Sequence, residues 1–281
     1  MKQMLCLTLL LLPTVSTPQL VRGEDTPAEP KTLREFMDLA TKWYEVYEGA
    51  DAKEPAQTLV ALRWANNARG SEDGMTLLFI HEGRPLAAAC VYPWAKRLEH
   101  DFESLSRGKI VAKRDGAVVW QPQQAGVTFA DLPGAPAPEG TRTQRLRQMK
   151  GLADKFKATM LGWKVDSTDR EELRLLTRPL YRYEPKEGSD LMDGAVFAFV
   201  MGTDPEVILL LEAVKDKGAA KWQYGFARRT SGELEARLGE TVVWKAARFP
   251  TQNDQRLPHF TRGTPLPASI AAELVEEEKT K

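Results

Sequence analysis

The densest set of residues able to move protons or hold a metal is Glu99-His100-Asp101-x-Glu103. An imidazole and carboxylates are the groups that acid–base catalysis and divalent cations require. The segment alternates as a strand, however, so His100 points away from Glu99, Asp101 and Glu103. The three carboxylates then read as a solvated row on an exposed or edge strand. A second candidate is the basic stretch Arg142–Lys157, where Arg142, Arg145, Arg147, Lys150, Lys155 and Lys157 stand against Asp154. It could hold an acidic polysaccharide or a phosphate-bearing ligand, or form an ordinary solvated helix face. The third is Tyr181-Arg182-Tyr183, which on a strand puts two aromatic rings on one face and a guanidinium on the other. The ligand-binding candidates are therefore Tyr181, Arg182, Tyr183, Arg145, Arg147 and Lys150.

Motifs with a fixed chemistry are missing: no HExxH, Cys-x-x-Cys, GxGxxG, Walker loop, GxSxG or EF-hand loop occurs. With three histidines in 281 residues, a triad or histidine-rich metal site would draw on widely separated positions. No metal and no cofactor is expected. Cys90 lies in the apolar run Ala87-Ala88-Ala89-Cys90-Val91, where a buried, inert thiol is expected.

The elements that must position these residues follow from periodicity. Thr32-Leu33-Arg34-Glu35 has the spacing of a capping box, and apolar residues from Leu33 to Tyr47 predict a helix ending before Gly49. A second helix is predicted over Pro55–Arg69, with Leu59, Leu62 and Ala65 inward. Met75–Ile80 and Leu86–Tyr92 read as strands of a hairpin, followed by Leu98–Leu105. Ile110–Lys113 and Ala117–Trp120 flank Arg114-Asp115-Gly116, a strong hairpin signal. Asp131–Gly140, rich in proline and glycine, reads as a linker. A long helix with the stripe Leu146, Met149, Ala153, Phe156, Met160 and Trp163 comes next. Strand patterns follow at Leu173–Tyr183, Ala195–Met201, Glu206–Val214, Trp222–Arg229, Leu234–Leu238 and Thr241–Ala246. Pro205–Lys217 also fits a capped helix; the strand reading is preferred because a four-residue turn precedes it. Trp222, Tyr224 and Phe226 alternate with smaller or polar residues in a half-exposed pattern. Phe249–Pro267 is polar and proline-rich, and Ala268–Glu278 is an acidic helix-former, frayed or loosely docked.

The two halves echo each other. Leu33-Arg34-x-Phe36-x-x-Leu39-Ala40 aligns with Leu146-Arg147-x-Met149-x-x-Leu152-Ala153, and Phe102–Trp120 with Phe226–Trp244. Either a helix-plus-meander unit was duplicated or similar patterns arose separately.

Composition sets the outer limits. Apolar residues make up 42% and charged residues 28%, ordinary for a globular protein. Met1–Gly23 carries a basic Lys2, an apolar Leu5–Leu12 and a cleavable Val21-Arg22-Gly23, the plan of a secretory signal. The apolar run is shorter than the ~20 residues a membrane span needs. Losing Lys2 and Arg22 from 39 basic residues leaves 37 against 39 acidic ones, which argues against general attraction to nucleic acid. Cys90 is then the one thiol of the mature chain, so no internal disulfide is expected.

Three stretches, Leu173–Glu184, Asp193–Glu206 and Trp222–Arg228, resemble a group of uncharacterised exported proteins abundant in planctomycete bacteria. Arg84-Pro85-Leu86, Asp101–Ser106 and Leu146–Lys150 are similar to the same group. The resemblance implies export and this architecture, and brings no activity, ligand or catalytic residue.

The expected protein is α+β, with helices packed on antiparallel β-meander sheets. Its organisation is a signal peptide at 1–23, a flexible lead-in at 24–31, a helix-plus-meander unit at 32–130 and a linker at 131–141. A second unit at 142–249 and an extended tail with a short acidic helix at 250–281 complete it. The favoured function is a non-catalytic exported binding or structural module of the cell envelope, in the periplasm or outside the cell, with an envelope glycan or protein as partner and no transmembrane segment after signal removal. The alternatives are a carboxylate-dependent hydrolase of polysaccharide or ester bonds and an assembly partner of another envelope protein.

Overall fold

The computed structural model describes residues 30–66, 71–162, 168–248 and 254–279. The leader Met1–Gly23 and most of the lead-in lie outside the described residues. The chain is mostly antiparallel β-sheet with few helices. In chain order the first half holds α1 (Leu33–Ala40), β1 (Glu45–Glu48), β2 (Gln57–Asn66), β3 (Ser71–His81), β4 (Arg84–Trp94), β5 (Arg97–Ser104), β6 (Ile110–Arg114) and β7 (Ala117–Trp120). Next come β8 (Phe129–Asp131), α2 (Arg142–Ala153), β9 (Phe156–Leu161), β10 (Arg170–Leu175) and β11 (Tyr181–Arg182). The second half continues through β12 (Leu191–Met201), β13 (Asp204–Asp216), β14 (Ala219–Arg228), β15 (Leu234–Leu238) and β16 (Thr241–Ala246). The last elements are β17 (His259–Pro265) and α3 (Ala268–Lys279).

One hydrogen-bonding plan serves both halves. β2-β3-β4-β5 form a meander whose outer edge is taken by β17, and β10-β12-β13-β14 form one whose outer edge is taken by β8. β1 pairs with β6 and β6 with β7, as β9 pairs with β15 and β15 with β16. The match reaches single residues. Phe79 faces Ala87 and, across a bulge, Ile80 faces Pro85; Phe199 faces Val207 and, across the same bulge, Val200 faces Pro205. Ala112–Trp120 is followed by Lys113–Val118, as Ala236–Trp244 is followed by Arg237–Val242. A bulge places an unpaired residue and a local bend, and it tolerates proline in an otherwise central strand. The halves differ at β9, which also pairs with β10, whereas β1 meets the residue just ahead of β2 through Ala56 N–H donating to the Val46 carbonyl at 2.6 Å.

Alternation along the strands divides the apolar residues between three layers. Leu77, Phe79 and Phe102 pack beneath Met37 and Ala40 of α1, Val46, Trp120 and Ile270 of α3. Leu209, Leu211 and Phe226 pack with Met149, Leu152 and Ala153 of α2 and with Ala158 and Leu234. Leu78, Ala88 and Leu105 meet Val196, Ile208 and Leu210 between the two meanders. Both faces of the central strands are thus covered, so Ala87–Val91 and Val207–Leu211 read as continuous apolar runs.

An aromatic trio anchors each half. Phe102 sits 4.8 Å from Tyr44 edge-on and 5.4 Å from Trp120; Phe226 sits 5.4 Å from Phe156 edge-on and 5.6 Å from Trp244. Such ring pairs add to the burial of their area.

Several expected elements are corrected. The first helix stops at Ala40 with Thr41 as its cap, because Glu45–Glu48 pairs with β6 instead. Pro55–Arg69 is not a helix: Gln57–Asn66 is β2, and register shifts at Val60/Leu62 and Trp64/Asn66 give a strand the three-residue spacing of a helix; residues 67–69 lie outside the described residues. The long helix ends at Ala153, and Phe156 and Met160 belong to β9; Trp163 is outside the described residues. Leu98–Leu105 is no edge, since β17 covers it, and Asp101 and Glu103 are buried rather than solvated. Trp222–Ala227 is more covered than a half-exposed strand. The proline-rich segment supplies β17, and Ile270 of the acidic helix is fully buried. Pro205–Lys217 is a strand through Asp216, as preferred.

Because both phenylalanines are buried between two aromatic rings, Phe102→Ala and Phe226→Ala should each cost about 3–5 kcal/mol in urea unfolding. A marked difference between them would show that only one trio anchors its half.

Candidate functional site

The carboxylates singled out by the sequence lie in the polar end of the layer between the meanders. The Tyr92 hydroxyl donates to Asp101 Oδ2 at 3.0 Å, and both terminal nitrogens of Arg229 donate to the Asp101 carbonyl at 3.2 Å. Glu103 Oε2 and His259 Nδ1 are 2.9 Å apart, and Asn66 donates to Asp204 at 3.1 Å. Burial governs the charge states here: it raises Asp101, holds Glu103 well above the usual carboxylate range, pushes His259 down to about 3 and pushes the Cys90 thiol up to about 11. Cys90 is a buried thiol, and its hydroxyl neighbour Thr76 is 3.8 Å away. Asp101 and Glu103 are too deeply buried for a substrate to reach, so this network ties sheets together. Among the described residues no group of three His, Cys, Asp or Glu side chains could hold a metal ion.

Of the basic and aromatic candidates, two converge on one buried acid. Arg145 Nε donates to Asp193 Oδ2 at 3.0 Å, and Arg182 reaches both oxygens at 3.2 and 2.7 Å. Arg145 also donates to the carbonyls of Glu139 and Gly140, fixing the start of α2. Tyr183 is fully buried, and its ring fills the space a side chain at Gly194 would need. Tyr181 donates its hydroxyl to the Gly83 carbonyl at 3.1 Å, across to the β3–β4 turn. Arg147 and Lys150 stay exposed on α2. Removing Asp193 leaves Arg145 buried without its counter-ion, so Asp193→Ala should cost about 3–5 kcal/mol. Arg147→Ala and Lys150→Ala should stay within about 0.5 kcal/mol in the same unfolding assay.

A more accessible set of polar groups lies elsewhere. Between the β6–β7 hairpin and β17 is an open groove of about 480 Å³, lined by Arg114, Asp115, Ala117, Val119 and Arg262–Pro265. Asp115 and Gly116 both have positive φ, 51° and 77°, the two-residue turn that aligns with strand twist. That turn places Arg114 at the end of β6, where its guanidinium stacks 4.2 Å over the Trp43 ring and donates to Thr264 Oγ1 at 2.9 Å. Arg262 stands opposite His100 in the β5–β17 register. His100 is enclosed by Trp43, Tyr44 and Phe102, with the backbones of Leu98 and Arg262 beside its ring. Burial pushes it down to about 3 against backbone hydrogen bonds at Arg262 and Leu98, and the charges of Arg114 and Arg262 add to the fall. Tyr44 is buried too, and desolvation raises its hydroxyl despite the same two arginines.

The sequence reading passed over Arg114 and Arg262. The first was seen only as part of a turn, and the second lay in the supposed tail. Aligning Phe102–Trp120 with Phe226–Trp244 sets Arg114 against Leu238, a cation against an apolar residue, and that was the available signal. The large exposed apolar side chains Leu39, Val60, Trp94 and Val118 sit on four different elements. No helix of the described residues is long and apolar enough to cross a membrane.

An unfolded histidine takes a proton below pH 6.5, whereas folded His100 stays neutral to about 3. The unfolded chain binds more protons in that window, so stability falls as pH drops through it, by up to about 1.4 kcal/mol per pH unit. His259 adds a fall of the same sign, while the raised carboxyls Asp101 and Glu103 oppose it. His100→Phe should therefore shrink the loss of melting temperature between pH 7 and pH 4.5; an unchanged loss would remove His100 as a cause.

Comparison with protein-family models, with curated proteins and with solved structures finds no match.

Proposed function

We propose that this chain is an exported, non-catalytic binding module of the cell envelope, and that its ligand docks in the groove between the β6–β7 hairpin and β17. The observation that carries the reading is the composition of the groove: two guanidiniums, hydroxyl and backbone groups, and one carboxylate, Asp115. Polysaccharide hydrolysis through carboxylates needs two of them facing the scissile bond about 5–9.5 Å apart. A groove of cations and hydroxyls suits holding a ligand. Export is supported by the basic, apolar and cleavable segments of Met1–Gly23, and by the resemblance to exported planctomycete proteins. The shared strand order, bulges and aromatic trios support descent of the two halves from one duplicated unit, with ligand binding confined to the first.

Thermal unfolding against a panel of neutral and acidic envelope glycans tests this. A ligand at about 100 times its Kd adds about 2.7 kcal/mol, a rise of several degrees for a chain of this size. A panel without a shift, together with turnover of a glycoside or ester substrate, would replace binding with hydrolysis.

A further inference from the structure

The groove carries unbalanced positive charge. Arg262 makes no ion pair among the described residues, and Arg114 has only a 3.8 Å contact with Asp115, whose side chain is 93% exposed. Beside them lies Tyr44, 4% exposed, whose hydroxyl faces the Arg114 guanidinium and finds no acceptor for its own proton among the described residues. A buried donor left without an acceptor is uncommon in a folded protein and asks for an explanation. Thr264 accepts from Arg114, which leaves its own O–H free to donate.

The second half shows that the fold does not demand these groups. In the matching trio Phe156 replaces Tyr44, and Leu238 ends β15 where Arg114 ends β6. Ala130 stands opposite Tyr224 where Arg262 stands opposite His100. The same framework is thus closed with an alanine, a leucine and a phenylalanine in one half and with two cations and a phenol in the other.

We propose that Arg114, Arg262 and the hydroxyls of Tyr44 and Thr264 form a subsite for the oxyanion of a sulfate or phosphate ester carried on a glycan. The inference rests on the binding-module reading and names the chemistry of its ligand. Planar guanidinium forks match such oxygens two at a time, and the phenol behind the two cations holds a proton with no acceptor. Asp115, the one carboxylate of the lining, points to solvent and leaves the floor to the cations.

The test is equilibrium binding of the full mature chain to dextran sulfate, a phosphorylated dextran, unsubstituted dextran, inorganic sulfate and inorganic phosphate. The esterified polymers should bind, more weakly as salt rises, and unsubstituted dextran should not. Arg262→Gln should weaken binding about tenfold or more, and Arg262→Lys should recover part of it. Tyr44→Phe should weaken binding while the unliganded melting temperature holds or rises, an outcome that a purely structural phenol would not give. Arg147→Gln with Lys150→Gln should leave binding unchanged. Wild-type affinity in Arg262→Gln and Tyr44→Phe overturns the subsite. Loss of binding in the α2 double variant alone would also overturn it, while leaving a binding module. Free ions that bind as well as the polymers would remove the glycan from the proposal. Binding of unsubstituted dextran alone sinks the subsite and spares the module; binding of nothing in this set or the wider glycan panel sinks both.

Discussion

An open strand edge is the constraint around which this chain is arranged. Each meander ends on a strand, β5 or β14, whose outer edge would present unpaired amides and carbonyls to solvent. Each edge is covered by the strand that follows the other half's last hairpin. β8 leaves β7 and pairs with β14; β17 leaves β16 and pairs with β5. Polar bonds reinforce the crossing. Arg229, just past β14, donates to the Asp101 carbonyl of β5, and Glu212 of β13 takes Arg84 and Arg107 from the first half at 2.7 and 2.8 Å. Arg107 also lies 3.9 Å over the Phe129 ring of β8. The layer of apolar residues between the meanders needs no disulfide to hold it, because the backbone of each half is woven into the other.

What was legible in the sequence was local. The capping box at Thr32 forms as its spacing indicates, and the hairpins around Gly83 and Asp115-Gly116 are where the turn residues put them. The apolar runs of β4, β12 and β13 mark strands buried on both sides. His100 does face away from Asp101 and Glu103. What was hidden depended on distant pairing. β2 looked helical because bulges break its two-residue period, and a bulge is set by the neighbouring strand rather than by its own residues. β17 looked like a tail because His259–Pro265 gains its character from lying on β5, far back in the chain. The burial of Asp101 and Glu103 follows from that same pairing.

The site was hidden for a related reason. Arg114 and Arg262 carry no motif and come from stretches far apart in the sequence. The residues that did look chemical, Arg145, Arg182 and Tyr183, are used to lock α2 and β11 against β12. Within one chain, the second half serves as a reference for the first: where side chains agree, as Phe102 with Phe226, Trp120 with Trp244 and the bulge prolines do, the framework requires them. Where they disagree, at Tyr44, Arg114 and Arg262, some other demand has acted.

Since β17 brings Arg262 and Thr264 to the groove, that wall is synthesised after every other strand of the described residues. A ribosome that stops, or a protease that clips, anywhere ahead of His259 leaves two well-patterned halves and no cationic cradle between hairpin and edge. Integrity of β17 and competence of the groove are therefore one property, and a product cut ahead of it could not masquerade as the finished molecule.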